Sequence, residues 1–244
     1  NSTRKERSRA FERFNAILNV HSAILEAFQL VAAIPDATAL VGASIHLRHR
    51  MTPKLSADEL DSAATSVLNV VNEERDRKYE IVRSSTLIAV CGAFEYLAKA
   101  AFVDKAAMNP AEAATLLGNA KIRLAAAEVL GTPSSEQWFT IADRLFEQLA
   151  ERYPRMHERL RHYLLDYAYV PHKVERNYLT KALGAADVGA FNEAFLVRNC
   201  MVHKGGRVSS QLARMTGQPA GAEIPLDKEY LTRLLGPIRE LAPI

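Results

Sequence analysis

Apolar residues recur along this chain at helical spacing. Phe11, Phe14, Leu18, Leu25, Phe28 and Val31 form one stripe, and Pro35 ends the helix it predicts. Ser56-Ala57-Asp58-Glu59 is a capping box, in which serine and glutamate satisfy each other's orphan amides, and it opens a helix to about Glu74. Ile81, Leu87, Ile88, Val90, Phe94, Leu97 and Phe102 mark a second long helix, from about Tyr79 to Ala107. Asn109-Pro110 and Thr132-Pro133 each place a cap before a proline at the first helical position, predicting helices that reach Leu130 and about Arg152. Pro154 interrupts the chain, and a further helix runs to Val170 before Pro171. Short helical turns are expected around 174–183. Asp187 then caps a helix over 188–203, the Gly-, Ser- and Pro-rich stretch 205–226 reads as a loop, and Asp227 caps a last helix carrying Leu231, Leu234, Leu235, Ile238 and Leu241. Residues 36–54 read as irregular. With no period-two alternation anywhere, the expected fold class is all-α, an up-down helical bundle with short connections.

Composition narrows this little. The 244 residues are 48% hydrophobic and 24% charged, ordinary for a chain with a real core. A net charge of +3 permits an anionic partner without demanding one. Cys91 and Cys200 have no metal spacing and sit in apolar helical surroundings, so they read as small buried hydrophobes. His46 and His49 lie three apart without acidic or cysteine neighbours, which favours a surface loop over a metal site. The basic lead-in Arg4-Lys5-Glu6-Arg7-Ser8-Arg9 reads as a solvated helix start, with RNA contact as the alternative. No secretory leader stands out, and no uncharged apolar run approaches the roughly 20 residues that span a bilayer. The expectation is a cytoplasmic protein without a membrane anchor.

The chemistry concentrates in Val197-Arg198-Asn199-Cys200-Met201-Val202-His203-Lys204-Gly205-Gly206. A guanidinium grips phosphate with a planar fork, and an imidazole moves a proton near neutral pH. Arg-to-His spacing proves nothing alone, since the chain holds three such pairs with four to six residues between: Arg198/His203, Arg152/His157 and Arg155/His162. The second contains Pro154, and the third lies on a segment crowded with charge and tyrosine. Around the first, Asn199 and His203 share a helical face, and the glycine pair ends the helix and lets a ligand approach. Arg198 is offset from His203 by about 140° on an ideal helix, a gap a long side chain can span.

These residues resemble the R-x4–6-H signature of HEPN domains, including the polar residue after the arginine. Gly92-Ala93-Phe94-Glu95-Tyr96-Leu97 resembles the early bundle helix of that superfamily, where an acidic residue faces the signature arginine. The likeness covers residues 79–244 as a HEPN-like helical bundle and leaves 1–78 as an N-terminal accessory helical segment. It implies a metal-independent endoribonuclease with no cofactor, in a toxin–antitoxin or antiviral defence setting. His203 would take the 2′-hydroxyl proton or protonate the leaving 5′-oxygen, and Arg198 would hold the scissile phosphate. Asn199 would orient His203 or donate to phosphate, Glu95 would support Arg198, and Lys204 and Arg207 would attract the RNA backbone. The resemblance further implies a homodimer with a composite cleft and a possible antitoxin or regulatory partner. Against it stands a non-catalytic HEPN-like module that binds RNA, a nucleotide or a protein. In a purely structural reading, Arg198 simply pairs with Glu95 and His203 caps a helix end. Tyr153, Tyr163, Tyr167 and Tyr169, near Arg159 and Arg161, are candidates for base stacking or for ordinary packing.

Overall fold

The computed structural model describes residues 2–33, 79–108, 135–169 and 172–242, with Ala111 and a subset between 56 and 73. Helix α1 spans Ser2–Ala33, and α2 spans Glu80–Met108. They are followed by α3 (Ser135–Arg152) and α4 (Met156–Arg161), the latter opening into a π-helical segment over His162–Ala168. Next come α5 (Lys173–Ala185), α6 (Val188–Lys204), α7 (Ser210–Thr216) and α8 (Lys228–Leu241). Among the described residues, extended pairing is limited to one isolated bridge between Arg207 and Glu223. The fold is all-α.

Helix α2 is the spine, in contact with α1, α3, α6, α8 and the π segment. Leu87, Val90, Cys91, Phe94, Leu97 and Phe102 form one buried stripe, and towards the far end, where Ala100 to Ala106 are all buried, the helix is enclosed on every side. Phe94 is the hub: its ring meets those of Phe14 of α1 and of Phe191 and Phe195 of α6, all tilted toward edge-on. The N-terminal helix therefore shares this core through Ala10 and Phe14. By length and composition α2 could cross a membrane, but 67% of its apolar window is buried inside the bundle. The charges at its far end are paired, Asp104 with Arg7 at 3.6 Å and Lys105 with Glu175 at 2.8 Å. Arg7 thus belongs to a helix–helix contact rather than to a wholly solvated basic lead-in.

The capping box forms as expected: the Ser56 N–H donates to Glu59 at 2.8 Å, and the Glu59 N–H donates to the Ser56 hydroxyl at 3.3 Å. Asp187 and Asp227 cap α6 and α8. The expected irregular stretch 36–54 and the expected helix from Asn109 to Leu130 fall outside the described residues, apart from Ala111, which is helical.

Three expectations change. The short turns around 174–183 are one continuous helix, α5, whose signal is weak because only Leu179 and Leu183 are buried while Val174 and Tyr178 face solvent. The 205–226 loop contains α7, capped by Ser209 and closed by left-handed Gly217; with only Leu212 fully buried, it is too short to show a period. The helix expected to reach Val170 widens into a π turn, and there Tyr163, Leu164 and Leu165 are buried in succession. Tyr163 packs on Phe102 and Phe146, and Tyr169 is equally enclosed, so neither ring is free to stack a base.

Candidate functional site

Helix α6 positions the motif. Asp187 accepts the Ala190 N–H at one end, and Gly205 closes the other with φ 57°, a left-handed cap that suits glycine. Phe191, Ala194, Phe195, Val197 and Cys200 are buried in the core. Glu193 is buried as well, accepting two hydrogen bonds from the Arg233 guanidinium at 2.7 and 2.9 Å and one from the Tyr230 hydroxyl at 2.7 Å. This clamp between α6 and α8 was not anticipated from the sequence, because Tyr230 and Arg233 lie some forty residues downstream.

Arg198 reaches toward α2. Its guanidinium lies 3.4 Å from the Glu95 carboxylate and donates to the Asn199 side-chain oxygen at 3.0 Å. Both partners of the Arg198–Glu95 pair are 24% exposed, so the contact is partly sheltered rather than sealed. The Arg198 Nε is enclosed without a protein partner. The anticipated meeting of an acidic residue on α2 with Arg198 is thus present.

His203 stands in the last turn of α6, exposed to solvent. Among the described residues no hydrogen bond or ion pair joins it to Arg198. The two side chains leave the helix in different directions, as their angular offset requires. The expected shared opening is not formed by direct contact within one chain: Arg198 turns inward and His203 outward. Lys204 is exposed beside it. Arg207 is exposed too, but its guanidinium donates to the Gly221 carbonyl at 3.1 Å and ties down the loop instead of standing free.

Both partners of Arg198, Glu95 and Asn199, line a cavity of about 380 Å³. Asn192, Phe195 and Leu196 of α6 complete the wall on that side, Arg155, Met156 and Arg159 face them at the start of α4, and Gln211, Arg214 and Met215 close it from α7. Neither Arg198 nor His203 is part of the lining. His203 nevertheless continues the stripe of Asn192, Leu196 and Asn199, which repeats every three or four residues, so it extends the same face beyond the cavity. Burial holds the Arg159 guanidinium below its ordinary range, while the Glu95 carboxylate opposes the shift. Burial, helped by Glu95, pushes the Cys91 thiol far up, as befits an inert core residue.

The sequence reading passed over most of this cavity. Arg155 entered it only as half of a chance pair with His162, Arg159 only as a neighbour of tyrosines, and Arg214 not at all. Arg155 and Arg159 are one helical turn apart, but Arg214 lies 55 positions beyond Arg159 on another element, so no local spacing marks the three together. The competing Arg/His pairs are otherwise engaged: the His157 ring sits 3.3 Å from the Leu183 carbonyl, and His162 contacts Asp166 and stacks on Tyr153. Among the described residues no three His, Cys, Asp or Glu side chains gather as a metal site. No family model, curated protein or solved structure matches this chain.

Proposed function

We propose that the protein is an endoribonuclease of the HEPN type, cleaving RNA through its own 2′-hydroxyl. The observation that carries this reading is Arg198 held between Glu95 and Asn199, two residues of the wall of an arginine-lined cavity, with His203 exposed one turn beyond Asn199 on the same face. In the reaction the 2′-oxygen attacks the adjacent phosphorus as the bond to the 5′-oxygen breaks. One proton leaves the 2′-hydroxyl for a base, and one is delivered to the departing 5′-oxygen. The products are a 2′,3′-cyclic phosphate and a 5′-hydroxyl, and the steps balance without an outside reactant. His203 supplies proton transfer, and Arg198 offsets charge accumulating on the phosphate. Because Arg198 and His203 point apart within one chain, the site is completed by a homodimer in which two motif helices face each other. Exposed Val202, next to His203, gives that contact an apolar element. A defence or toxin role, with a possible antitoxin or regulatory partner, follows from the family resemblance.

A second reading has an observation in its favour. The Arg198–Glu95 pair ties α6 to α2, as a structural strut in a non-catalytic binding module would. Incubation of the protein with total RNA in chelator, followed by analysis of the product ends, separates the two. Cyclic phosphate ends should appear with the parent protein, and His203→Ala should slow their appearance by about a hundredfold or more while circular dichroism stays unchanged. Undiminished cleavage by a folded His203→Ala protein would sink the catalytic assignment. Analytical ultracentrifugation checks the dimer.

A further inference from the structure

At the far end of α2 another cavity, of about 430 Å³, opens between α1 and α5. Its charges come in opposed pairs, Arg7 and Lys105 against Asp104 and Glu175. Asp104 and Lys105 are both buried, which is costly for charged groups unless partners surround them. Lys105 has its partners: its ammonium donates to Glu175 at 2.8 Å and lies 5.2 Å from the centroid of the Tyr169 ring. Glu175 also faces His172 at 3.5 Å, and the Lys105 bond holds its carboxyl below the ordinary range. Asp104 is worse served. Its Oδ2 lies 3.6 Å from Arg7, an ion pair longer than a hydrogen bond, and its Oδ1 is enclosed with no partner among the described residues.

The balance of charge selects the ligand. A lone cation would answer Asp104 but crowd Arg7 and Lys105, and a lone anion would do the opposite. A molecule carrying both charges leaves the site neutral. The 3.6 Å between Asp104 and Arg7 asks for opposite charges that are equally close, which an α-amino acid, with both on one carbon, provides. An aspartate's last torsion is soft, so a small rotation presents Oδ1 to an incoming ammonium. A guanidinium has five N–H donors and an ammonium three, more than one carboxylate apiece takes up, so Arg7 and Lys105 have donors to share with a ligand carboxylate. Phe11, Leu97 and Met108 supply the apolar part of the wall. A smaller cavity of about 30 Å³ shares Arg7, Leu97 and Ala242 with it and is lined by apolar side chains such as Leu164, Leu183 and Leu241. That recess has room for the tip of an aliphatic chain and is too narrow for an aromatic ring.

We propose that this cavity binds a free aliphatic α-amino acid, its ammonium on Asp104, its carboxylate between Arg7 and Lys105, and its side chain against Leu97. At about 430 Å³ the space is of small-molecule size. The site lies about two and a half turns of α2 beyond Glu95 and owes nothing to RNA cleavage.

Equilibrium dialysis of the full chain against radiolabelled L-leucine, L-isoleucine and L-methionine tests this. At least one should bind saturably, with a single molecule per chain. Its amide, which lacks the carboxylate, and its N-acetyl derivative, which lacks the ammonium, should each compete about tenfold or more weakly, as loss of a charge-assisted bond requires. Asp104→Asn should weaken binding by a similar factor. Ser8→Trp, a change at an exposed position on the cavity wall, should abolish it by filling the space. Thermal melts confirm that the variants fold, and if Asp104→Asn does not, Ser8→Trp carries the test. Absence of saturable binding at millimolar concentration overturns the proposal. Full affinity in the folded Ser8→Trp protein overturns it too, by putting the ligand elsewhere. An amide that binds as tightly makes this a cation site, and an N-acetyl derivative that does so makes it an anion site; either result overturns the assignment. Every measurement is made without RNA, so failure here leaves the cleavage reading untouched.

Discussion

Tyr230 shows how much a single polar side chain depends on its surroundings here. Its hydroxyl donates to the buried Glu193 carboxylate at 2.7 Å, and burial first, then that bond, push its ionisation far above the phenol range. Burial raises Tyr163, Tyr169 and Cys91 in the same direction. In the unfolded chain these groups lose protons near their ordinary values, 9.0 for the thiol and 10.0 for the phenols, while the folded protein retains them. The unfolded state then binds fewer protons than the native one, so stability falls as pH rises. Their contribution is fully present below pH 9.0 and is lost progressively as pH climbs through the raised native values. Urea melts at stepped pH should therefore give a level midpoint approaching pH 9.0 from below and a steady decline above it. Replacing Tyr230 by Phe should make that decline shallower.

Among the elements, α6 was read almost to its true ends, because its cap and stop are chemical signals that act locally: Asp187 accepts an orphan amide and Gly205 takes the left-handed turn. The same locality explains the Ser56 capping box. Where an element is held by one or two long-range contacts, as with α5 on Leu179 and Leu183 or α7 on Leu212, periodicity has too little to work with. Gly205→Ala tests the stop signal. Its added Cβ meets nothing within 4 Å, so any cost reflects the positive φ and not a clash. The expected loss is about 1 kcal/mol by chemical denaturation, and a neutral result would mean that the last turn unwinds freely. Because His203 rides on that turn, the proposed RNA cleavage should fall in the same variant.

At the level of the whole molecule, Phe94 joins three helices through its contacts with Phe14, Phe191 and Phe195. Phe94→Ala should cost about 3–5 kcal/mol, since a cavity opens where four rings meet. Hydrogen exchange should show α1 losing protection along with α2 and α6; unaltered exchange in α1 would mean the N-terminal helix docks independently of this hub. The fold class was legible because helical periodicity and caps pervade the chain. The pair formed by Glu95 and Arg198 was anticipated through a family likeness, not through spacing, since the two residues lie 103 positions apart. The cavity beside them was not legible, because residues from α4, α6 and α7 come to line one space only after the bundle has formed.

Phe94 and Glu95 are consecutive in the chain, yet one points into the aromatic centre and the other toward Arg198. An α-helix turns by about 100° per residue, so the two jobs are separated by a single angular step. Deleting one residue between Glu80 and Phe94 would swing the acid off its target into the oily interior where Phe94 sits, and adding one would swing it outward to the exposed place of Tyr96. Length variation in that stretch is therefore tolerable only in near-whole turns, a restriction that no side chain there reveals when considered singly.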